Sequence, residues 1–476
     1  MQIKKVSLQT MSADPQSSLV IKSLDAAPDL LALHANFPER YPFLLQSAAN
    51  GTAQGRYDIL FGFPGETLCL NGDGRLTGPG AGAHSEFVSA LDAWTAGVSE
   101  SVLGHSTPRA EQLPFIGGWF LYLSYELAGQ LEPRLSLPID TKQPVAMATR
   151  VPAAIIIDHH TAHSFVLSEA GSAGCIDTML ADIVEVLSRP QPQVSHTEHS
   201  SKEENPEHFI TAVEQAKQHI SAGDIYQANL SRQWHAPAHG KQAWELYSRL
   251  CTANPAPFAG LASFGAGQGL EHPFAIISSS PERLVAVSDG QVDTRPIAGT
   301  RPRHSAAPMS DAELAEFLGH PKERAEHVML IDLERNDLGR ICNGGSVRVS
   351  EFMAIESYAH VHHLVSNVVG DLRMGVSTGD IIRAVFPGGT ITGCPKVRCM
   401  QIIAEQEGRP RGAYTGSMGY LNIDGSCDLS ILIRTMVLRD DEITLAAGSG
   451  IVADSDPQTE LNETRAKAKG LLLAIS

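Results

Sequence analysis

Near the end of the chain, GSGIVADSDPQTELNETRAKA (448–468) sets two acids and a lysine, Glu460, Glu463 and Lys467, at spacings of three and four residues. Residues so spaced share one face of a helix. Leu461, Thr464, Ala468, Leu471, Leu472 and Ile475 recur beside them at helical period, so the charged stripe adjoins an apolar anchor. Asp454 or Ser455 is the expected cap and Pro457 suits the first turn. For an isolated helix the commoner meaning is a solvated face with a Glu463–Lys467 pair. A second stretch changes those odds: KERAEHVMLIDLERNDLGR (322–340) places Glu323 and Glu326 three apart on a helix whose apolar positions are Val328, Leu330, Ile331 and Leu333. Four converging carboxylates repel unless a cation sits between them. Hard oxygen ligands suit Mg²⁺, which keeps several waters and binds through one or two carboxylates plus an anionic substrate. Glu323, Glu326, Glu460 and Glu463 are therefore the expected metal ligands.

Other segments carry single residues of chemical interest. IYQANLSRQ (225–233) alternates Tyr226, Ala228 and Leu230 with Gln227, Asn229 and Ser231, as a half-buried strand does, so Gln227 faces whatever lies over the polar side. In HPFAIISSSPERLV (272–285) an apolar strand runs into Ser-Pro-Glu; the proline restricts Ser280 and fixes where Glu282 projects. A glutamate beside other acids has its pKa raised and becomes a proton donor. PIAGTRPR (296–303) offers the backbone of Gly299 and the hydroxyl of Thr300, with no bulk at Ala298, and glycine lets a ligand approach the main chain. His363 precedes an apolar stretch, where a lone histidine is usually a hydrogen-bonded core residue. RGAYTGSMGY and ILIRT bring Tyr414 and Arg434, whose guanidinium suits a bidentate grip on a carboxylate. Gly448 and Gly450, just before the acidic helix, can present amides to an anion.

The elements that must position these residues belong to a chain of 476 residues, 43% hydrophobic, long enough for two or three domains. Its net charge of −17 argues against nucleic acid or an anionic membrane surface as partner. Local cations must then hold any small anionic substrate. No apolar signal core follows MQIKKVSLQT and no run is long enough to span a bilayer, so the cytoplasm is the expected compartment. Seven cysteines without C-x-x-C spacing read as buried small apolar residues. A polar, Pro-rich seam at 188–208 divides an N-terminal region, 1–190, from a second region, 205–476. Strand-like runs at 57–61 and 153–157 precede it; after it Asn205 and Pro206 open a helix carrying Phe209, Ile210, Val213, Ala216 and Ile220, with Gly223 beyond its end. Mixed elements without strict βα alternation give an α+β class.

SPERL, PIAGTRPR, the 322–340 segment and the 448–468 segment together resemble the chorismate-utilising enzymes, over nearly all of 205–476 and less specifically before it. The resemblance implies two large packed antiparallel β-sheets flanked by helices, with both halves contributing. It implies that Mg²⁺ bridges the glutamates and a carboxylate of chorismate, that Glu282 protonates the departing 4-hydroxyl, that His363 lies in the pocket, and that Tyr414, Arg434 and Lys467 bind substrate. At Gln227 the water-adding branch resembles a lysine base; an amide cannot take that role, whereas ammonia needs no base. Gln227 therefore favours amination. PIAGT lacks the lysine of the PIKGT pattern that forms a covalent intermediate; it is usual in anthranilate synthases and occurs in a minority of aminodeoxychorismate synthases. GRYDILF, ANLSR, SPERL and FPGGTITGCPK with YTGSMGYL are closer to the latter branch. LLQS (44–47) has glutamine where anthranilate synthases carry the glutamate of a tryptophan-binding LLES, which makes tryptophan inhibition doubtful. No cysteine sits in a glutaminase-like motif, so a separate glutamine amidotransferase subunit is the implied source of ammonia.

Overall fold

Continuous apolar runs such as GWFLYL (Gly118–Leu123) and AAIIID (Ala153–Asp158) are buried at every position. Strands of this kind need cover on both faces. The computed structural model of the chain describes residues 19–48, 55–102, 113–189, 201–303, 317, 319, 321–357 and 361–476, without the side chains at 100–102, 298, 300–302, 321–323 and 361. Two antiparallel sheets supply that cover, one of twelve strands and one of eleven. In the first, Phe43–Gln46 pairs with Phe258–Phe264; in the second, Gly118–Leu123 pairs with Ser417–Asn422. Both halves of the sequence therefore build both sheets, the α+β architecture expected. Aromatic side chains fill the space between them: Phe43 stacks on Phe120 with centroids 4.1 Å apart, and Phe264, Phe274, Tyr122 and Tyr420 continue the layer.

The elements that carry the chemistry form where periodicity places them. Asn205 caps the helix Pro206–Ser221, and Phe209, Val213 and Ala216 are buried beneath it. The acidic stretch is a helix, Pro321–Gly339, and the C-terminal segment another, Pro457–Ile475. Its cap is Asp456, whose Oδ1 accepts from Thr459 N at 2.8 Å, and Ser455 Oγ instead accepts from Val452 N; the cap thus lies two residues past Asp454 and one past Ser455, the two expected. Tyr226 was expected inward with Ala228 and Leu230 but is 70% exposed, because the strand begins only at Gln227. Val328 likewise points outward, and the buried face of its helix holds His327, Leu330, Ile331, Glu334 and Asp337. The N-terminal decapeptide and most of the seam, 190–200, lie outside the described residues.

One buried ion pair ties the site strand to both halves. Arg411 and Glu407 meet at 2.6 Å with side chains only 1% and 3% exposed. The guanidinium also donates to Asn229 O, Glu407 accepts from Ser231, and Glu126 from the first half accepts the Arg411 N–H at 2.7 Å. Removing one partner of such a pair strands a charge in low dielectric, at about 3–5 kcal/mol. Arg411→Met is expected to lose about that much stability in urea unfolding; a loss below about 1 kcal/mol, the scale of an exposed pair, would refute it.

Candidate active site

Three elements meet at residues 448–450. The strand Glu442–Ile451 pairs with Gln227–Pro237, setting Gly450 beside Asn229 and Gly448 beside Ser231. A Cβ at Gly448 would stand 2.6 Å from the Tyr414 hydroxyl, and one at Gly450 would stand 2.3 Å from Gln227 Nε2 and 3.7 Å from Glu326 Oε1. Space, not a left-handed φ, demands glycine at both. Gln227 is buried; its Nε2 donates to Glu326 Oε1 at 3.1 Å, and its Oε1 has no partner among the described residues. From the C-terminal helix, Glu460 accepts from Ser449 Oγ, while Lys467 bridges Glu463 Oε1 at 2.6 Å and Gly448 O at 3.1 Å. Burial alone would raise the Glu463 pKa, but Lys467, Ser449 and Arg434 outweigh it and hold it below the ordinary range. Glu326, Glu460, Glu463 and Lys467 thus approach one short strand segment from two helices.

Glu282 lies in the break between the strands Phe274–Ser280 and Arg283–Ser288, where the Ser-Pro step places it. It is 5% exposed, and its Oε1 has no hydrogen-bond partner among the described residues. Burial pushes its pKa from an ordinary 4.5 to about 7, against the opposing pull of Thr390, the Ile297 N–H, Arg434 and Lys467. Arg434, held at φ 53°, has its pKa lowered by burial, opposed by Tyr414, Glu463 and Glu282 nearby. It donates to no protein acceptor among the described residues and is available to a ligand carboxylate. His363 is buried, and desolvation with Arg434 and His362 beside it depresses its pKa to about 3, so its imidazole is neutral near pH 7. It stands opposite Thr300 across a bulge formed at Gly299, whose φ of 68° only glycine adopts without strain. Ala298 lies opposite Leu364. The side chains of Ala298, Thr300 and Glu323 lie outside those described.

Among the described residues no three His, Cys, Asp or Glu side chains are close enough together to enclose a metal ion. The donors present still fit the Mg²⁺ pattern of few carboxylates supplemented by water and substrate, with the stranded Gln227 Oε1 beside Glu326 as a further oxygen. The first three residues of LLQS close the strand Phe43–Gln46; Gln46 lines a cavity of about 280 Å³ with Arg56, Tyr57, Phe258, Arg283 and Asp428, and its amide already donates to Asp58. Two acids escaped the sequence reading. Glu334 and Asp337, given no role from the sequence, are buried within LERNDLGR; their spacing of three was the one available signal.

The match to the family described as chorismate binding enzyme spans residues 54–473, and this chain belongs to that family. It is 43% identical over 368 residues to an anthranilate synthase component I-like protein of a Synechocystis species, covering 77% of this chain and 74% of that one. Aminodeoxychorismate synthase component 1 of Bacillus subtilis is 36% identical over 460 residues and 92% of each chain. Most of the other similar proteins carry the anthranilate synthase name. Anthranilate synthase component I of Streptococcus pneumoniae TIGR4 shares the fold with a TM-score of 0.75 at 31% identity, covering 88% of this chain and 93% of that one. Among the described residues no helix is long and apolar enough to cross a membrane.

Proposed function

We propose that this chain is the chorismate-binding subunit of an aminodeoxychorismate synthase, aminating chorismate to 4-amino-4-deoxychorismate. What carries the choice of amination is Gln227: a neutral amide already committed to Glu326 holds the place of a base, and ammonia attacks without one. Arg434 grips a substrate carboxylate, the amides at Gly448 and Gly450 receive another, and Tyr414 closes over the strand. Glu282, protonated up to about pH 7, gives its proton to the departing 4-hydroxyl. His363 stays neutral and donates or accepts a hydrogen bond without adding charge. Mg²⁺ would be held by carboxylates drawn from Glu326, Glu460 and Glu463, with Glu323 the fourth candidate, and would supply positive charge to a substrate carboxylate. Ammonia comes from a separate glutamine amidotransferase subunit.

Alanine at 298 leaves no side-chain nucleophile for C2. Ammonia therefore adds there as water leaves C4, giving bound 2-amino-2-deoxyisochorismate; a second ammonia adds at C4 and expels the first. One nitrogen is retained and one water released per turnover. The motif wording around residues 55–61, 227–233, 280–284 and 386–396 supports this branch. Ala298 and the names of most relatives favour the second reading, anthranilate synthase component I, whose chemistry adds pyruvate elimination. With amidotransferase, glutamine and Mg²⁺, the expected product is 4-amino-4-deoxychorismate without pyruvate and without a covalent protein adduct in a denaturing mass spectrum. Anthranilate with stoichiometric pyruvate would establish the second reading instead, and a stable chorismate-derived adduct would refute the ammonia route.

A further inference from the structure

Two amide side chains of the strand Gln227–Pro237, those of Gln227 and Asn229, lie two residues apart and so share a face. Both use room left by the glycines of the neighbouring strand: a Cβ at Gly450 would meet Gln227 Nε2, and one at Gly448 would stand 2.7 Å from Asn229 Oδ1 and 2.6 Å from the Tyr414 hydroxyl. Each amide has its nitrogen committed. Gln227 Nε2 donates to Glu326 Oε1, and Asn229 Nδ2 donates to Thr390 O at 3.5 Å. A carbonyl oxygen only accepts, so Thr390 fixes which end of the Asn229 amide faces it and turns Oδ1 the other way. That Oδ1 is buried without a partner among the described residues, the Tyr414 hydroxyl included. The Asn229 backbone is bonded on both sides, its N–H donating to Thr392 O at 2.9 Å and its C=O accepting from Arg411 at 2.6 Å, which holds the side chain in place. A buried acceptor without a donor is destabilising unless a ligand supplies one.

The two ends of this face differ in charge. Glu326 stands beside Gln227, whereas the atoms nearest a Cβ at Gly448 are Leu230 O, the Tyr414 hydroxyl and Asn229 Oδ1, with no carboxylate among them. Mg²⁺ binds through carboxylates, so the metal would sit at the Gln227 end. Ionised carboxylates of chorismate cannot donate, and its 4-hydroxyl already has a partner in Glu282. Ammonia, uncharged and with three N–H bonds, is the one reactant for which the site described so far offers no holder.

We propose that Asn229 is an ammonia-binding residue, whose Oδ1 accepts an N–H of the nucleophile and so fixes where the nitrogen lone pair points. Positive charge grows on that nitrogen as it bonds to carbon, and a carbonyl dipole already aimed at it stabilises that charge without reorganising. The inference rests on the proposed reaction only in that ammonia is the nucleophile, and it holds for either reading of the product.

The test measures chorismate turnover by the chain with its amidotransferase subunit and Mg²⁺, with ammonium chloride in place of glutamine, for the wild type, Asn229→Leu and Asn229→Asp. Leucine fills a similar volume without an acceptor, and aspartic acid keeps an oxygen at the Oδ1 position. Loss of one such bond is expected to lower kcat/KM for ammonia about tenfold in Asn229→Leu, while the KM for chorismate and the Mg²⁺ requirement stay as they were. Asn229→Asp is expected to recover most of the loss. Should Asn229→Leu not fold, Asn229→Ala, which keeps both backbone bonds, is read in the same way. An unchanged ammonia dependence overturns the proposal: with a raised chorismate KM the oxygen holds the substrate hydroxyl, and with a raised Mg²⁺ requirement it is a metal ligand. A fall in kcat alone, the same at every ammonia concentration, makes Asn229 a structural residue and overturns it too. Absence of ammonia-dependent turnover in the wild type would refute the reaction and the inference together. Anthranilate as the product would refute the proposed function, while the ammonia dependence would still decide the role of Asn229.

Discussion

Glu282→Gln is expected to lower chorismate turnover by about 10²-fold or more, the scale of general acid catalysis, while KM changes little. The amide keeps the shape and the burial of the carboxyl but has no acidic proton. Arg434, which the substrate carboxylate would meet, is untouched, so affinity should survive. Steady-state kinetics with ammonium or with the amidotransferase separates the two parameters. A variant that loses affinity but keeps its turnover rate would reduce Glu282 to a contact.

The same substitution has a stability signature independent of substrate. Burial raises the folded-state pKa of Glu282 from 4.5 to about 7, so the folded chain holds a proton that the unfolded chain has released. The proton's contribution is complete below about pH 4.5 and is lost as pH rises through about 7. The shift corresponds to roughly 3 kcal/mol. Between those pH values the wild type should lose stability that Glu282→Gln does not, so the variant's denaturation midpoint should fall less steeply with pH. Parallel profiles would mean that the carboxyl is less desolvated than its position between the strands implies.

How much of this was legible in the chain follows from what periodicity encodes. Spacing placed Glu460, Glu463 and Lys467 on one helix face and turned Gln227 toward the carboxylates, because a strand of period two and a helix of period 3.6 leave few choices of face. The Ser-Pro step likewise fixed where Glu282 sits. Periodicity says nothing about partners distant in sequence. Glu334 and Asp337 drew no reading because their helix buries polar groups beside Leu330 and Ile331, with His327 bonded to Ser366 at 2.6 Å and Asp337 to Lys396, and an apolar stripe does not announce the polar residues that share its face. Tyr226 failed for the opposite reason: its alternation was right but the strand starts one residue later. The aromatic layer between the sheets was not anticipated, since Phe43, Phe120 and Phe264 come from three separated runs and register alone brings them together.

Glu326→Gln and Glu463→Gln are each expected to abolish Mg²⁺-dependent turnover and leave the fold intact. A cation that keeps most of its waters is held by one or two carboxylates, so losing one removes a large share of the protein's hold on it. The two variants should nevertheless differ in a second readout. Glu463 is ion-paired with Lys467 and half exposed, so its substitution also releases Lys467 from one of its two acceptors, and turnover should not return at high Mg²⁺. Glu326 accepts from Gln227 Nε2, and the glutamine variant sets amide against amide there; either amide can rotate to restore a donor–acceptor pair, because Gln227 Oε1 is unpartnered. Partial recovery of Glu326→Gln at raised Mg²⁺, with none for Glu463→Gln, is therefore the expected pattern in a Mg²⁺ titration of turnover. Unaltered turnover and unaltered Mg²⁺ dependence in both would mean that the glutamates around residues 448–450 do not hold the metal.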